Sequence, residues 1–264
     1  MMSQEALQLK SVGGTHVGMR RKNNQDSFLV DDSLGLWVVA DGMGGRAAGE
    51  VASQQAVETV HEMVLAGLRR SREAGELAST LPSVAIARRI LESAVQAATY
   101  MVFGLAEQDQ AKSGMGTTLS AALRVKEGLL LAQVGDSRIY RVRGGEASQL
   151  TEDHTLINWQ LAQGIITPEE AQRSRQKNVI TRAVGNRDYV QVDLLPCDVV
   201  AGDKFLLCSD GLHGYLGQRE VGEFVSQGGD GAVQAMIDLA NDRGGKDNIT
   251  VLIVEAAAAA AAGA

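Results

Sequence analysis

The chain has 264 residues, 45% of them hydrophobic, and a formal net charge of -7. A chain of this length can bury a sizeable core, and we expect a single domain. Lys and Arg are scattered among Asp and Glu, which argues against nucleic acid or an anionic membrane surface as a partner.

The sequence shows no sign of a membrane segment or a disulfide framework. No stretch reaches the ~20 apolar residues that a membrane helix needs, and residues 1–11 lack an apolar run of signal-peptide length. Two cysteines, Cys197 and Cys208, do not make a disulfide framework in a chain this long. We expect a soluble cytoplasmic protein, monomeric and with both thiols reduced.

Short strand patterns open the chain, and two long helical patterns follow them. Apolar and β-branched runs predict strands over 12–18, 27–30 and 35–40. Over about 46–68 and 82–105, apolar residues recur with the period of one helical face. A polar loop separates these two helices, so we expect them to lie antiparallel on a sheet.

From residue 117 onward, strand periodicity returns. The predicted strands cover 117–125, 129–134, 138–142, 147–150, 189–195, 204–208 and 249–254, and two further helices cover 218–226 and 231–242. Residues 151–178 are polar and helical in character, which indicates an inserted surface segment. This order suits an α+β protein with antiparallel sheets. The alanine-rich end, 256–264, is expected to be frayed, which leaves 1–255 as the domain.

One apolar run, from Val38 onward, ends in a carboxylate and then turns on glycines. A strand that stops at Asp41 points this acid out of the sheet edge, where it and the Gly42 carbonyl could bind a hard cation. Alone, however, Asp-Gly is more often only a turn.

Three more acids occupy similar places. Asp136 and Asp210 each follow an apolar run, and Asp247 comes just before the last predicted strand. Four such acids favour a shared cation site over four independent turns. With oxygen donors and no nearby Cys or His cluster, the site favours Mg²⁺ or Mn²⁺ over Zn²⁺.

Hard cations in such a site indicate phosphate chemistry. Two ions about 3.5–4 Å apart can share a water, lower its pKa and aim it in line at a phosphoryl centre. Arg21, just after a predicted strand, could bind the phosphate. Solvated surface charge is an equally open interpretation of Arg21.

Seven short motifs occur in a fixed order along the chain. They are RKNNQD at 21–26, VADGMGG at 39–45, GMGTT at 114–118, VGDSR at 134–138, LTEDH at 150–154, CSDGL at 208–212 and DNIT at 247–250. Together they resemble the motifs of the metal-dependent serine/threonine protein phosphatases of type 2C (PPM family) in their bacterial form. The resemblance covers about residues 12–254. It implies an α-β-β-α sandwich of four layers, two antiparallel sheets flanked by antiparallel helix pairs.

The resemblance also implies a role for each acid of the core site. Asp41 would bridge two metal ions, and Gly42 would coordinate one of them through its carbonyl. Asp210 and Asp247 would hold the other ion, and Asp26 would act through a coordinated water. The implied cofactor is Mn²⁺ or Mg²⁺, two ions in the core site.

Outside the core site, the resemblance assigns three more features. Arg21 would bind the phosphate. Asp136 resembles the ligand of a third, weaker metal site, which it would share with Asp210. Gly214 offers no side chain where some members place an Asp, which puts that third ion in doubt. The insertion Thr155–Ala183 corresponds to the flap of bacterial members, beside the catalytic cleft.

Two departures from the family pattern concern the chemistry. Met43 stands where animal members have a histidine, so the leaving alkoxide would take its proton from a metal-bound water. Gln25 replaces a Glu of some members, so an acidic contact behind the metals is missing. Most histidines are expected to be structural, with His213 the one candidate for a substrate contact.

The sequence therefore predicts hydrolysis of phosphoserine and phosphothreonine on proteins, reversing a bacterial serine/threonine kinase. Its partners would be phosphorylated proteins. Two alternatives stay open at this point: a phosphoprotein-binding scaffold without turnover, which the two departures would suit, and a hydrolase of small phosphoesters.

Overall fold

Two antiparallel β-sheets form the centre of the protein in a computed structural model that describes residues 7–44, 48–77, 79–174, 176 and 178–259. The strands are β1 (Leu7–His16), β2 (Asp26–Asp31), β3 (Leu36–Met43), β4 (Gly116–Thr117), β5 (Leu119–Val125), β6 (Gly128–Val134), β7 (Arg138–Arg143), β8 (Glu146–Gln149), β9 (Asp193–Cys197), β10 (Lys204–Cys208) and β11 (Ile249–Ala258). The helices are α1 (Ala48–Glu73), α2 (Val84–Gln108), α3 (Leu156–Ala162), α4 (Pro168–Arg173), α5 (Asp210–His213), α6 (Gln218–Gln227) and α7 (Gly229–Asp242).

The order of strands separates the two sheets clearly. Sheet I has the order β1-β11-β10-β7-β8, and sheet II has the order β2-β3-β5-β6-β9, with β4 paired to the end of β3. The chain passes from sheet II to sheet I between β6 and β7, at residues 135–137. Every pairing within the two sheets is antiparallel.

Alternating side chains of the strands build the two sides of each sheet. In β3, Trp37 and Val39 point into a core between the sheets, where they meet Phe205 and Leu252 of sheet I. The intervening residues of β3 face α1 and α2 instead. Helices α6 and α7 cover the outer face of sheet I. The predicted α+β class and the four-layer α-β-β-α sandwich are thus confirmed.

Some predicted boundaries are wrong. β9 begins at Asp193 rather than at 189, and it ends beyond Pro196. Proline is tolerated there because β9 is an edge strand, where a missing N–H removes no ladder bond. The turn of helix α5, directly after β10, is absent from the sequence prediction, and the predicted helix start at 46 lies outside the described residues.

The alanine-rich end differs most from its prediction. Residues 256–258 are not frayed but continue β11, where they pair with the first three residues of β1. Ala256 is only 4% exposed, accepts a hydrogen bond from Gly202 and donates one to Asp203. Backbone pairing outweighs the low strand propensity of alanine here. The rest of the predicted tail, 260–264, lies outside the described residues.

The inserted segment 155–183, called the flap below, carries α3 and α4. Its two ends meet at a β-bridge between Thr155 and Ile180. In α4, Thr167 and Glu170 form a capping box, with Pro168 in the first turn. The flap therefore leaves and rejoins the sandwich at one narrow base.

Shortening β11 should destabilise the protein. We expect a chain ending at Glu255 to lose about 2 kcal/mol of unfolding free energy, since it lacks the backbone bonds of Ala256 and the pairing to β1. Urea denaturation would measure the loss. A chain ending at Ala259 keeps the whole strand and serves as the control. Equal midpoints for the two chains would contradict the assigned role of residues 256–258.

Candidate metal centre

Antiparallel pairing brings four acids to one end of the sandwich. Asp26 begins β2 and lies directly across from Asp41, near the end of β3. In sheet I, Asp210 follows the end of β10, and Asp247 precedes the start of the neighbouring β11. Each sheet thus contributes one pair of carboxylates. The fifth acid, Asp136, lies where the chain crosses between the sheets.

These carboxyl groups are buried close enough to perturb one another. Burial, followed by the charges of Asp26 and Asp210, holds the pKa of Asp41 well above its ordinary value. Burial raises the pKa of Asp26 to about 7, and burial together with the charge of Asp210 raises that of Asp136 to about 7. Burial and the charge of Asp247 also raise the pKa of Asp210. Five acids predicted from the sequence therefore share one electrostatic site.

The donor set fits a hard divalent cation. One oxygen each of Asp26 and Asp210, the Oδ1 atoms, is buried without a hydrogen-bond partner, which a bound cation or its water would supply. Over the described ranges, no three His, Cys, Asp or Glu side chains are grouped to hold an ion by themselves. A carbonyl oxygen and waters would have to complete the coordination, as is usual for Mg²⁺.

Gly42 lies where only glycine fits. A Cβ on this residue would stand 2.0 Å from the carbonyl oxygen of Gly49, in the first turn of α1, and 2.5 Å from that of Gln25. The Gly42 N–H donates to the same Gln25 oxygen at 3.0 Å. The backbone after Asp41 is therefore packed directly on α1. The role of the Gly42 carbonyl as a metal ligand stays a prediction.

Two hydroxyl groups that the sequence analysis did not single out hold Asp26. Ser209, directly after β10, and Thr250, on β11, each donate to its Oδ2 atom at 2.7 Å. Ser209 also accepts the Thr250 N–H at 3.0 Å. Both residues stand inside the quoted motifs CSDGL and DNIT, beside the acids, and that position was the signal available in the sequence.

Asp41 is held through its backbone by two threonines. Thr118 accepts the Asp41 N–H at 2.9 Å, and the Thr117 hydroxyl donates to the Asp41 carbonyl at 2.9 Å. Asn248 has a similar role at the start of the neighbouring strand β2, where its side-chain oxygen accepts the Gln25 N–H at 2.8 Å. The two bonds to Asp41 fix its backbone, and the fixed backbone in turn sets the direction of its carboxylate.

Arg21 lies at the mouth of the site. Its side chain is 48% exposed, and Nη2 donates to Oδ2 of Asp247 at 2.6 Å. That hydrogen bond, with the charges of Asp247, Asp41 and Asp210, raises the pKa of Arg21. The structure thus places a permanent cation beside the acids, and phosphate binding by Arg21 stays a prediction.

A cleft of about 580 Å³ opens beside the carboxylates. Its lining includes Asp136, Asp210, Asp247, Lys246, and Asn158 of the flap. His213 also lines this cleft, but its ring Nε2–H donates to the Asp136 carbonyl at 2.9 Å. Burial lowers the pKa of His213 to about 4, so its ring is neutral and its Nε2 proton is engaged in that bond.

Comparisons with known proteins agree with this fold and site. The model of the protein phosphatase 2C family matches residues 13–244. The chain is 35% identical to protein phosphatase PhpP of Streptococcus pneumoniae over 245 residues, 91% of this chain and 94% of that protein. It is also 35% identical to the serine/threonine phosphatase stp of Listeria welshimeri, over 91% of this chain and 93% of that protein.

Solved structures show the same similarity. The serine/threonine phosphatase PstP/Ppp of Mycobacterium tuberculosis matches with a TM-score of 0.80 and 34% identity, over 94% of this chain and 98% of that one. A serine/threonine phosphatase of S. agalactiae matches with a TM-score of 0.81 and 34% identity, over 94% and 99%. A structure of the PstP catalytic domain in complex with two manganese ions matches with a TM-score of 0.77 and 32% identity, over 96% and 100%.

The sandwich and its acid cluster define a protein serine/threonine phosphatase that depends on a divalent metal. The chain belongs to the protein phosphatase 2C family. No helix in the described ranges is long and apolar enough to cross a membrane.

The raised pKa values predict how stability depends on pH without metal. An unfolded Asp titrates near 4 and folded Asp26 near 7, so between these values the folded state binds more protons. The contribution of Asp26 to stability must then fall as pH rises from about 4 to about 7, by up to about 1.4 kcal/mol per pH unit. The lowered pKa of His213 contributes with the opposite sign, so the effect of Asp26 is read from its substitution.

Calorimetry in chelator would measure this slope, and Asp26→Asn should reduce it. Asp242→Asn changes an exposed acid at the end of α7 and serves as the control. If Asp26→Asn left the dependence of the melting temperature on pH between pH 5 and pH 7 unchanged, the raised pKa of Asp26 would be contradicted.

Proposed function

We propose that the protein hydrolyses phosphoserine and phosphothreonine in other proteins, using two Mn²⁺ or Mg²⁺ ions held between the two sheets. The observation that carries this proposal is the convergence of two acid pairs, one at the end of each sheet, whose pKa values are raised and which lie beside an arginine. A serine/threonine kinase is the class of enzyme that would supply such a substrate.

The arrangement supports a distinct role for each acid. Asp41 is perturbed by both acid pairs, so it suits the bridging position, with Gly42 beside it. Asp210 and Asp247 lie at the ends of the neighbouring strands β10 and β11 and would hold the second ion. Asp26 has one oxygen engaged by two hydroxyls and the other unpartnered, which suits an indirect contact through water.

When bound, the cations supply an activated water as the nucleophile and positive charge that offsets the charge of the phosphoryl group. Arg21 then binds the phosphate through its planar guanidinium, which matches two phosphate oxygens. It is already aligned at the mouth of the cleft by Asp247. A third cation would be held by Asp136 with Asp210.

The leaving group needs a proton that none of the histidines, all four of which lie in the described part of the chain, is placed to give. The four histidines of the sequence are engaged elsewhere: His16 with the Gly18 N–H, His61 with Asp31, His154 with Asp193 and His213 with the Asp136 carbonyl. Met43 has no proton to donate. We infer that water in the site protonates the leaving alkoxide of the substrate.

Metal dependence is the direct test of the proposed function. With Mn²⁺, the purified protein should release phosphate from a phosphothreonine peptide, and chelator should abolish the release. Asp210→Asn should lower kcat/KM by at least about 100-fold, because replacing even a residue behind a metal ligand costs 10–100-fold. Activity that survives chelator would contradict the mechanism.

The same assay separates the alternatives. A small phosphoester hydrolase would have the higher kcat/KM for a small ester than for the phosphopeptide. A scaffold would bind Mn²⁺ in calorimetry without any release of phosphate.

Replacing Met43 tests the source of the proton. Met43→His introduces an imidazole at the end of β3 and should change the pH dependence of kcat, because a side-chain acid would then compete with water. Met101→His, on α2, adds the same group at a partly exposed position and serves as the control. An unchanged profile in Met43→His would count against protonation by water.

A further inference from the structure

His154 lies at the point where the flap leaves the sandwich. The two ends of the flap are joined next to it, because the Thr181 N–H donates to the His154 carbonyl at 2.8 Å and the Leu156 N–H donates to the Val179 carbonyl at 2.8 Å. The ring itself is buried. His154 therefore belongs to the narrow base through which the flap is attached.

His154 also forms two hydrogen bonds with the turn that carries Asp136. The Gly135 N–H donates to Nδ1 of His154 at 3.1 Å, and the His154 N–H donates to the Gly135 carbonyl at 2.8 Å. Because Nδ1 accepts a hydrogen bond, the proton of the neutral ring is on Nε2. Burial lowers the pKa of His154, which supports this neutral form.

On its other side, the ring is bonded to a fixed carboxylate. Nε2–H donates to Oδ2 of Asp193 at 3.0 Å. Asp193 begins β9 and pairs with Gln133 of β6, so its position is set by sheet II. Arg182, at the returning end of the flap, donates to the other oxygen of Asp193 at 2.8 Å. Nη1 of Arg182 also lies 3.2 Å from Nε2. The ring thus has one bond toward the Asp136 turn on one side and contacts with Asp193 and Arg182, at the flap base, on the other.

The Asp136 turn is in contact with the core of the site. Gly135 has a φ of +99°, and a Cβ there would stand 2.6 Å from Cγ2 of Thr118. Thr118 is the residue that accepts the Asp41 N–H. A displacement of this turn would therefore reach the backbone of the predicted bridging ligand.

We propose that His154 is a positioning residue that couples the flap to the acid cluster, through one hydrogen bond to Gly135 and another to Asp193. The inference rests on the proposed function, because the cleft between the flap and Asp136 is where a phosphopeptide would bind. A peptide held against the flap then influences the Asp136 turn through the side chain of His154.

Two substitutions separate the two bonds of the ring. His154→Asn keeps an acceptor near the place of Nδ1 but cannot reach Asp193. His154→Gln places a donor near Nε2 but lacks the acceptor for Gly135. Asp193→Asn should resemble His154→Asn. His61→Asn breaks another His–Asp pair, on α1 far from the flap, and serves as the matched control.

Hydrogen exchange and kinetics should give opposite patterns for the two variants. In His154→Gln, protection of the Gly135 amide and kcat should each fall about tenfold, since comparable contacts behind a metal ligand are worth 10–100-fold. In His154→Asn, protection of the Leu156 and Thr181 amides should fall about tenfold and KM for the phosphopeptide should rise about tenfold. His61→Asn should match the wild type in all of these measurements.

Two outcomes would contradict the proposed role of His154. If both variants lowered protection and activity in parallel with their melting temperatures, His154 would be a structural residue only, and the proposal would be overturned. Wild-type exchange in both variants would overturn it as well. If the wild type released no phosphate with any cation, the proposed function would fail, and the exchange pattern in metal-free protein would still decide the role of His154.

Discussion

Burial of neighbouring carboxyl groups, together with their mutual repulsion, is the constraint on which the site depends. Asp41 experiences the charges of the other four, and two like charges 4 Å apart repel by about 1 kcal/mol in water and several times more in a protein. Protons or cations can relieve this repulsion, so both compete for the same place. Raised pKa values and affinity for divalent metal are therefore two consequences of one arrangement.

Close backbone packing explains why glycines accompany these acids. A Cβ on Gly18 would stand 2.1 Å from the Asp247 carbonyl oxygen, and one on Gly211 would stand 1.9 Å from that of Asn248. Strand ends can converge this tightly only where no side chain intervenes. Asp41 and Gly42 lie within β3, paired with Asp26 and Thr117, so the interpretation of this Asp-Gly as only a turn is wrong.

Much of the fold and of the acid cluster could be predicted because each depends on local pattern. Alternation in β3 and the helical period of α1 are properties of neighbouring residues, and an acid that follows an apolar run is visible in the sequence. The hydroxyls of Ser209 and Thr250 could not be assigned to Asp26, because this contact joins strands of different sheets. The extension of β11 likewise depends on β1, which lies at the other end of the chain.

The hydrogen bonds on Asp26 have a consequence for the whole domain. Asp26 belongs to sheet II, whereas Thr250 belongs to sheet I and Ser209 directly follows strand β10 of sheet I, so their bonds join the two sheets. The apolar core between the sheets is non-directional and would tolerate small shifts of one sheet against the other. Buried, charge-assisted hydrogen bonds have narrow geometric limits and resist such shifts. The polar contacts of the site therefore set the register of the sandwich at this end, and a sheet that shifted would lose the alignment of the acid pairs first.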